Sequence, residues 1–214
     1  ANSDRVRVGR WRPIVSATER HVAAGVAGVA GDARAYPPLD ARHLRMYRGS
    51  FLLVIFAESL GFLTLFSVRF VLAGAGHPAE LNVGLGGAIT VLLGGSAGAA
   101  VRGLRAIQRG ETRTMTTGLG SAFGLGLAAL VLIAADWATS TIAPASRFGG
   151  IYLATVGFHA IHIVVGLLFL AALWSSGRRG RFDAANHWLV EAGVRFWLFV
   201  VAAWLAVYVV FYWL

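Results

Sequence analysis

The alternation of apolar and polar positions divides the chain into five long hydrophobic runs separated by short polar gaps. The runs lie near residues 51–73, 81–101, 115–136, 149–173 and 192–214. A bilayer core of about 30 Å takes roughly 20 helical residues, so each run is long enough to cross it. Strands of a membrane barrel would be about half as long and would alternate, so the pattern predicts helices. The expected fold class is all-α, a polytopic transmembrane helix bundle of five spans over 49–214, preceded by a cytoplasmic arm over 1–48.

Composition agrees with the pattern. Of 214 residues, 57% are hydrophobic and only 14% charged, against about a quarter charged in a soluble domain. Cysteine is absent, which excludes disulfides, thiolate metal sites and Cys-attached haem. All 19 basic residues are arginine, which reads as a base-composition bias rather than as function. A net charge of +9 would suggest nucleic acid in a soluble protein. Here the arginines sit between apolar runs, so topology accounts for them and no nucleic-acid partner is expected.

Charge in the gaps predicts orientation. Residues 1–48 hold nine arginines, 102–113 four and 178–181 three, whereas 74–80 and 137–148 hold only Arg147 between them. Positive charge stays on the cytoplasmic side, so the N-terminus is expected inside and the C-terminus outside. The arm passes through 22-VAAGVAGVAG-31 and Ala33-Arg34-Ala35, a faint imitation of a secretory signal. Its weakly apolar middle favours an arm lying on a neighbour or on headgroups, with Arg42, Arg45 and Arg48 facing anionic lipid. Glycines four apart in 94-GGSAG-98 and 120-GSAFG-124 predict close helix packing in spans two and three.

Few ionisable groups fall inside the runs. Burying a charge in hydrocarbon costs at least about 2.5 kcal/mol, so Glu58, His159 and His162 need an explanation. Arg69, Asp136, Glu191 and Arg195 lie near span ends and read as anchors kept solvated at the interface; His187 also belongs to that interfacial set. At 1.5 Å per residue, Glu58 sits about 10 Å from the inner edge, His162 roughly 16 Å and His159 roughly 21 Å. Glu58 can therefore meet either histidine, with His162 slightly favoured. Three readings stay open: polar glue between helices, proton handling, or a metal site with open positions. A b-type haem would want a second ligand from a facing helix, and span four alone carries intramembrane histidine.

Span four, 157-GFHAIHIVVG-166, resembles the GFHxxH segment of subunit III of haem-copper oxidases, the cytochrome c oxidase subunit III family. The first span, 51-FLLVIFAESLGFLTLFSVRF-70, is similar to that family's acidic helix, with Glu58-Ser59 where its buried glutamate stands. The last, 187-HWLVEAGVRFWLFVVAAWLAVYVVFYWL-214, resembles its terminal helix. Five spans match the short bacterial form. The likeness covers about residues 49–214. Val156 stands where the family commonly has threonine and Ala160 where it has glycine, and Thr155 is displaced by one. His187-Trp188 reverses the usual order, Glu191 replaces aspartate, and Arg195 interrupts the apolar run.

The resemblance implies a non-redox accessory subunit of a proton-pumping terminal oxidase in aerobic respiration, carrying electrons from cytochrome c to oxygen. It places the chain in the bacterial inner membrane beside oxidase subunit I, the main contact, and other oxidase subunits. Haem and copper are expected in those partners and none in this chain; bound phospholipid is expected between helices. Glu58, His159 and His162 match the family's buried glutamate and histidine pair, a proton- and lipid-related set. No residue of this chain is expected to be catalytic or to ligate a metal. Alternatives are a subunit-III-like partner of nitric oxide reductase or of a quinol oxidase and, from another class, a small transporter or proton channel.

Overall fold

A computed structural model describes residues 40–214, so residues 1–39 of the arm, with the signal-like stretch, lie outside the described residues. Five helices, each long and apolar enough to cross a membrane, make up the rest: α1 Ala41–Ala73, α2 Val83–Gln108, α3 Thr112–Thr139, α4 Arg147–Arg178 and α5 Trp188–Tyr212. Among the described residues there is no strand.

The helix starts are chemically marked. Asp40 accepts from the His43 backbone N–H at 2.7 Å, Asn82 from Leu85 at 2.9 Å and Ser146 from Gly149 at 2.9 Å. Each satisfies an amide that the first helical turn leaves free. Between α2 and α3, Gly110 adopts φ +80°, a left-handed conformation that ends one helix and lets the next begin within three residues. That short turn makes α2 and α3 antiparallel neighbours.

The cap at Asp40 shifts one expected boundary. α1 begins at Ala41, inside the segment read from hydropathy as arm, because 41-ARHLRMYR-48 favours helix without being apolar. Its first two turns are largely exposed and project beyond the greasy part of the span.

Contacts run α2–α3, α3–α4, α4–α5 and α5–α2, closing a ring of four helices; α1 lies outside it against α4 and α5. Only Phe62 and Arg69 of α1 are buried. The ring is held by aromatic side chains of α5 entering gaps left by glycine. A Cβ at Gly126 or Gly166 would come within 2.6 Å of the Trp197 ring. Trp197 Nε1 donates to Ser96 Oγ at 2.9 Å, and Ser96 passes its own proton to the Ala122 carbonyl at 2.6 Å. Trp204 Nε1 likewise donates to Thr90 at 2.9 Å, whose hydroxyl donates to the Gly86 carbonyl at 2.8 Å. In a span these bonds matter because lipid offers no alternative partner.

The closest helix approach is not where the paired glycines predict it. A Cβ on Gly118 would lie 2.8 Å from Gly103 Cα and 2.9 Å from the Ala99 carbonyl oxygen, so α2 and α3 touch backbone to backbone there. Gly94, Gly98 and Gly124 meet nothing within 4 Å, and Gly120 faces the Trp174 ring. Four-residue spacing marks a helix face but not which face a neighbour covers. Gly118→Ala is therefore expected to cost about 1–3 kcal/mol through overpacking. Thermal unfolding of the purified protein should show a lowered midpoint for Gly118→Ala and none for Gly124→Ala.

Candidate functional site

The alternating helix directions put the start of α1, the α2–α3 turn and the α4–α5 loop at one end, rich in arginine. The α1–α2 and α3–α4 connections form the arginine-poor end. Three polar clusters lie along this axis.

The central cluster joins α1 to α4. Gly61 lets α1 come close, since a Cβ there would stand 3.1 Å from the Phe158 ring. One turn away, Glu58 Oε2 lies 3.2 Å from His162 Nε2. The other ring nitrogen, Nδ1, lies 2.8 Å from the Phe158 carbonyl oxygen. A carbonyl only accepts, so Nδ1 carries hydrogen and Nε2 is the atom whose proton can vary. A hydrogen bond between Nε2 and Oε2 then takes one shared proton, and a pair so bonded has no net charge whichever atom holds it. Phe62, Phe158 and Phe199 surround the imidazole at centroid distances of 5.2, 4.6 and 6.1 Å. Within the chain the Glu58 side chain keeps 42% of its surface exposed, against 9% for His162.

His159 is treated differently. It is fully buried against Trp204 and Phe62, at centroid distances of 5.4 and 6.1 Å, and neither ring nitrogen has a hydrogen-bond partner. The structure thus brings Glu58 to His162 and leaves His159 one turn away.

At the arginine-rich end Glu191 is buried between two cations. Its Oε2 accepts from Arg48 at 2.7 Å and its Oε1 from Arg195 at 2.6 Å. Arg48 also lies 5.9 Å over the Trp188 ring, and its Nε is buried without a partner. His187 caps this end of α5 and its Nδ1 donates to the Ala184 carbonyl at 2.8 Å. Beside the cluster, α1, α4 and α5 enclose an apolar cleft of about 200 Å³, lined by Phe51, Phe169, Leu173, Phe182, Leu189 and Phe196.

The arginine-poor end holds groups that hydropathy alone misread. Arg69 is not a snorkelling anchor. It is fully buried, donates to the Gly74 and Gly76 carbonyls, and stands 4.8 and 5.6 Å over the rings of Phe148 and Phe211. Asp136 is also buried, accepting from Tyr152 Oη at 2.7 Å; Tyr152 in turn lies 2.8 Å from Tyr212 Oη. With the Tyr152 proton committed to Asp136, Tyr212 is the donor of that second bond. Glu191 is likewise partnered inside the bundle rather than solvated. Each sits near a helix end, but tertiary partners replace water.

A profile of the family described as Cytochrome c oxidase subunit III matches residues 45–214, nearly all of the helical part. The chain belongs to the cytochrome c oxidase subunit III family. Similar curated chains include the cytochrome c oxidase subunit 3 of the cyanobacterium Synechocystis, 27% identical over 178 residues, 79% of this chain and 75% of that one. The subunit 3 of Spodoptera frugiperda is 33% identical over 110 residues, 50% of this chain and 74% of the relative. That of Equus caballus is 29% identical over 109 residues but only 41% of its length is matched. The chain therefore spans less than half of such mammalian relatives. Subunit III membership makes it a multi-pass membrane protein and an accessory subunit of a haem-copper oxidase.

Among the described residues the histidines are not arranged as a facing pair that could grip a haem. His162 has both nitrogens engaged, His159 faces an indole, and the other described histidines, His43, His77 and His187, are exposed or half-buried outside the bundle core. Replacing Glu191 would leave two arginines facing each other at a buried end. Glu191→Gln is expected to destabilise by about 1–2 kcal/mol, discounted because both arginines are part-exposed. Its thermal midpoint should fall further than that of Arg195→Gln, which leaves the Arg48 bond in place.

Proposed function

We propose that the chain supports proton uptake and durability in a proton-pumping oxidase of a bacterial cytoplasmic membrane. It does so without redox chemistry of its own. Haem, copper, the oxidation of cytochrome c and the reduction of oxygen belong to neighbouring subunits, and this chain packs beside the catalytic one. The arginine-rich end faces the cytoplasm, which puts the N-terminus inside and the C-terminus outside. Family membership supports the complex; the charge distribution supports the orientation.

The observation that carries the role is the Glu58–His162 pair. Among the described residues it is the one place where a half-exposed carboxyl meets an imidazole whose tautomer is held by a backbone carbonyl. Such a pair holds a proton in hydrocarbon without net charge and can accept or release one when a neighbour is charged. Glu58→Gln keeps the shape but removes the carboxylate. It is expected to leave the oxidase assembled while changing the pH dependence of turnover or the lifetime under turnover. Equal steady-state rates and equal inactivation from about pH 6 to 9 would leave Glu58 a packing group only.

Phospholipid binding belongs to the same proposal. The apolar cleft accepts an acyl chain, and Arg48 and Arg195 together outnumber Glu191, so a phosphate would complete the charge balance. Native mass spectrometry of the complex should show at least one fewer retained phospholipid in Arg48→Gln/Arg195→Gln than in the parent. Equal lipid content in the two would remove the site.

A further inference from the structure

Tyr152, Thr155, His159 and His162 follow one another along α4 at spacings of three, four and three residues, so they share one side of the helix. All four are buried. At the arginine-poor end this line begins at Asp136, which also lines a polar cavity of about 100 Å³ with Glu80, Asn82, Thr139, Ser140 and Thr141. At its other end it reaches Glu58 through His162. Toward the arginine-rich end the same side of α4 continues as Gly166, Leu170 and Leu173, with the Trp197 ring pressed onto Gly166. Along this side of α4, polar groups thus lead to the pair from one end only.

The line has a gap, and the gap is where His159 stands. From Tyr152 to His159 is about 10 Å along the axis, and from His159 to His162 about 4.5 Å. Thr155 Oγ1, lying between, spends its proton on the Ile151 carbonyl at 2.8 Å and keeps lone pairs to accept with. A neutral imidazole presents one donor and one acceptor, and both nitrogens of His159 are orphaned in a segment where lipid satisfies neither. Buried water satisfies such groups where there is room for it and two or more polar partners.

We propose that Tyr152, Thr155 and His159, with water held at the His159 nitrogens, form a one-sided proton path. It joins the cavity at Asp136 to the Glu58–His162 pair. A proton arriving from the cavity binds one nitrogen of His159 while the other releases its proton toward His162. One proton moves, and the imidazole is left in its other tautomer, reset by the reverse transfer. The pair goes from one proton to two, gaining one positive charge, and loses it by the same route. Around His159 stand Phe62 of α1, Trp204 of α5 and, on α4, Thr155 and His162; around the pair stand Phe62, Phe158 and Phe199. The charged groups that meet the path are thus Asp136 at its start and Glu58 at its end, and the proton at Glu58 exchanges with one aqueous side. The path rests on the proton-sharing reading of that pair.

Infrared spectroscopy of the complete oxidase complex tests it. The Glu58 carboxyl band is identified by subtracting Glu58→Gln, and its exchange is timed after transfer to D2O. His159→Leu and Tyr152→Phe are expected to slow that exchange by about tenfold or more, while Arg109→Gln, in the exposed α2–α3 turn at the opposite end, leaves it unchanged. Tyr152→Phe keeps the ring and its packing, so it reports even where His159→Leu fails to assemble. Parental exchange rates in assembled Tyr152→Phe, or equal slowing in Arg109→Gln, overturn the path but leave the pair intact. A parent complex with neither a Glu58 carboxyl band nor an imidazolium band that Glu58→Gln removes, from about pH 6 to 9, overturns the shared proton itself.

Discussion

Hydrocarbon offers no hydrogen-bond partner, and this constraint orders nearly every polar atom in the five helices. Serine and threonine hydroxyls return to carbonyls of their own helix, as Ser59, Thr64 and Ser67 do on α1. Two of the hydroxyls on α2 also receive an indole N–H from α5, Ser96 from Trp197 and Thr90 from Trp204, so that neither group is left bare. These bonds make the ring of α2 to α5 specific. Apolar packing between greasy helices discriminates little in lipid, because the tails are as apolar as the side chains.

Charge obeys the same rule more severely. Arg69 is enclosed by phenyl rings and the carbonyls beyond the end of α1, and Glu191 by two arginines. Both tie α1 to the ring, one at each end, although α1 buries little of its own surface. Between these ties lies the Glu58–His162 contact, the third link from α1 to the ring. The helix that contributes least to the core is thus fastened by its charges, which places the carboxyl of Glu58 at the edge of the bundle instead of inside it.

Much of this was legible from residue order. Five apolar runs dictate five helices, arginine in alternate gaps predicts their orientation, and the depth arithmetic brings Glu58 within reach of either histidine with His162 slightly favoured. The polar line on α4 was also readable, since Tyr152, Thr155, His159 and His162 keep helical spacing; its connection to Asp136 and Tyr212 was not, because those partners lie 16 and 60 residues from Tyr152. The paired glycines misled for a related reason. Gly94 and Gly124 point away from any neighbour, and Gly118, in no such pair, makes the backbone contact.

By itself, then, the sequence determined what period and composition control: helical spans, their number, their alternation and a short list of ionisable residues inside them. Those properties depend on local spacing and on transfer to lipid, and neither requires knowing a neighbour. Only the tertiary structure decided which of those residues have partners. It gave Arg69 and Glu191 partners inside the protein, assigned Glu58 to His162 with its tautomer held, and left His159 without one. Partnership depends on the rotation of each helix about its axis, and that angle is settled by packing over the whole bundle.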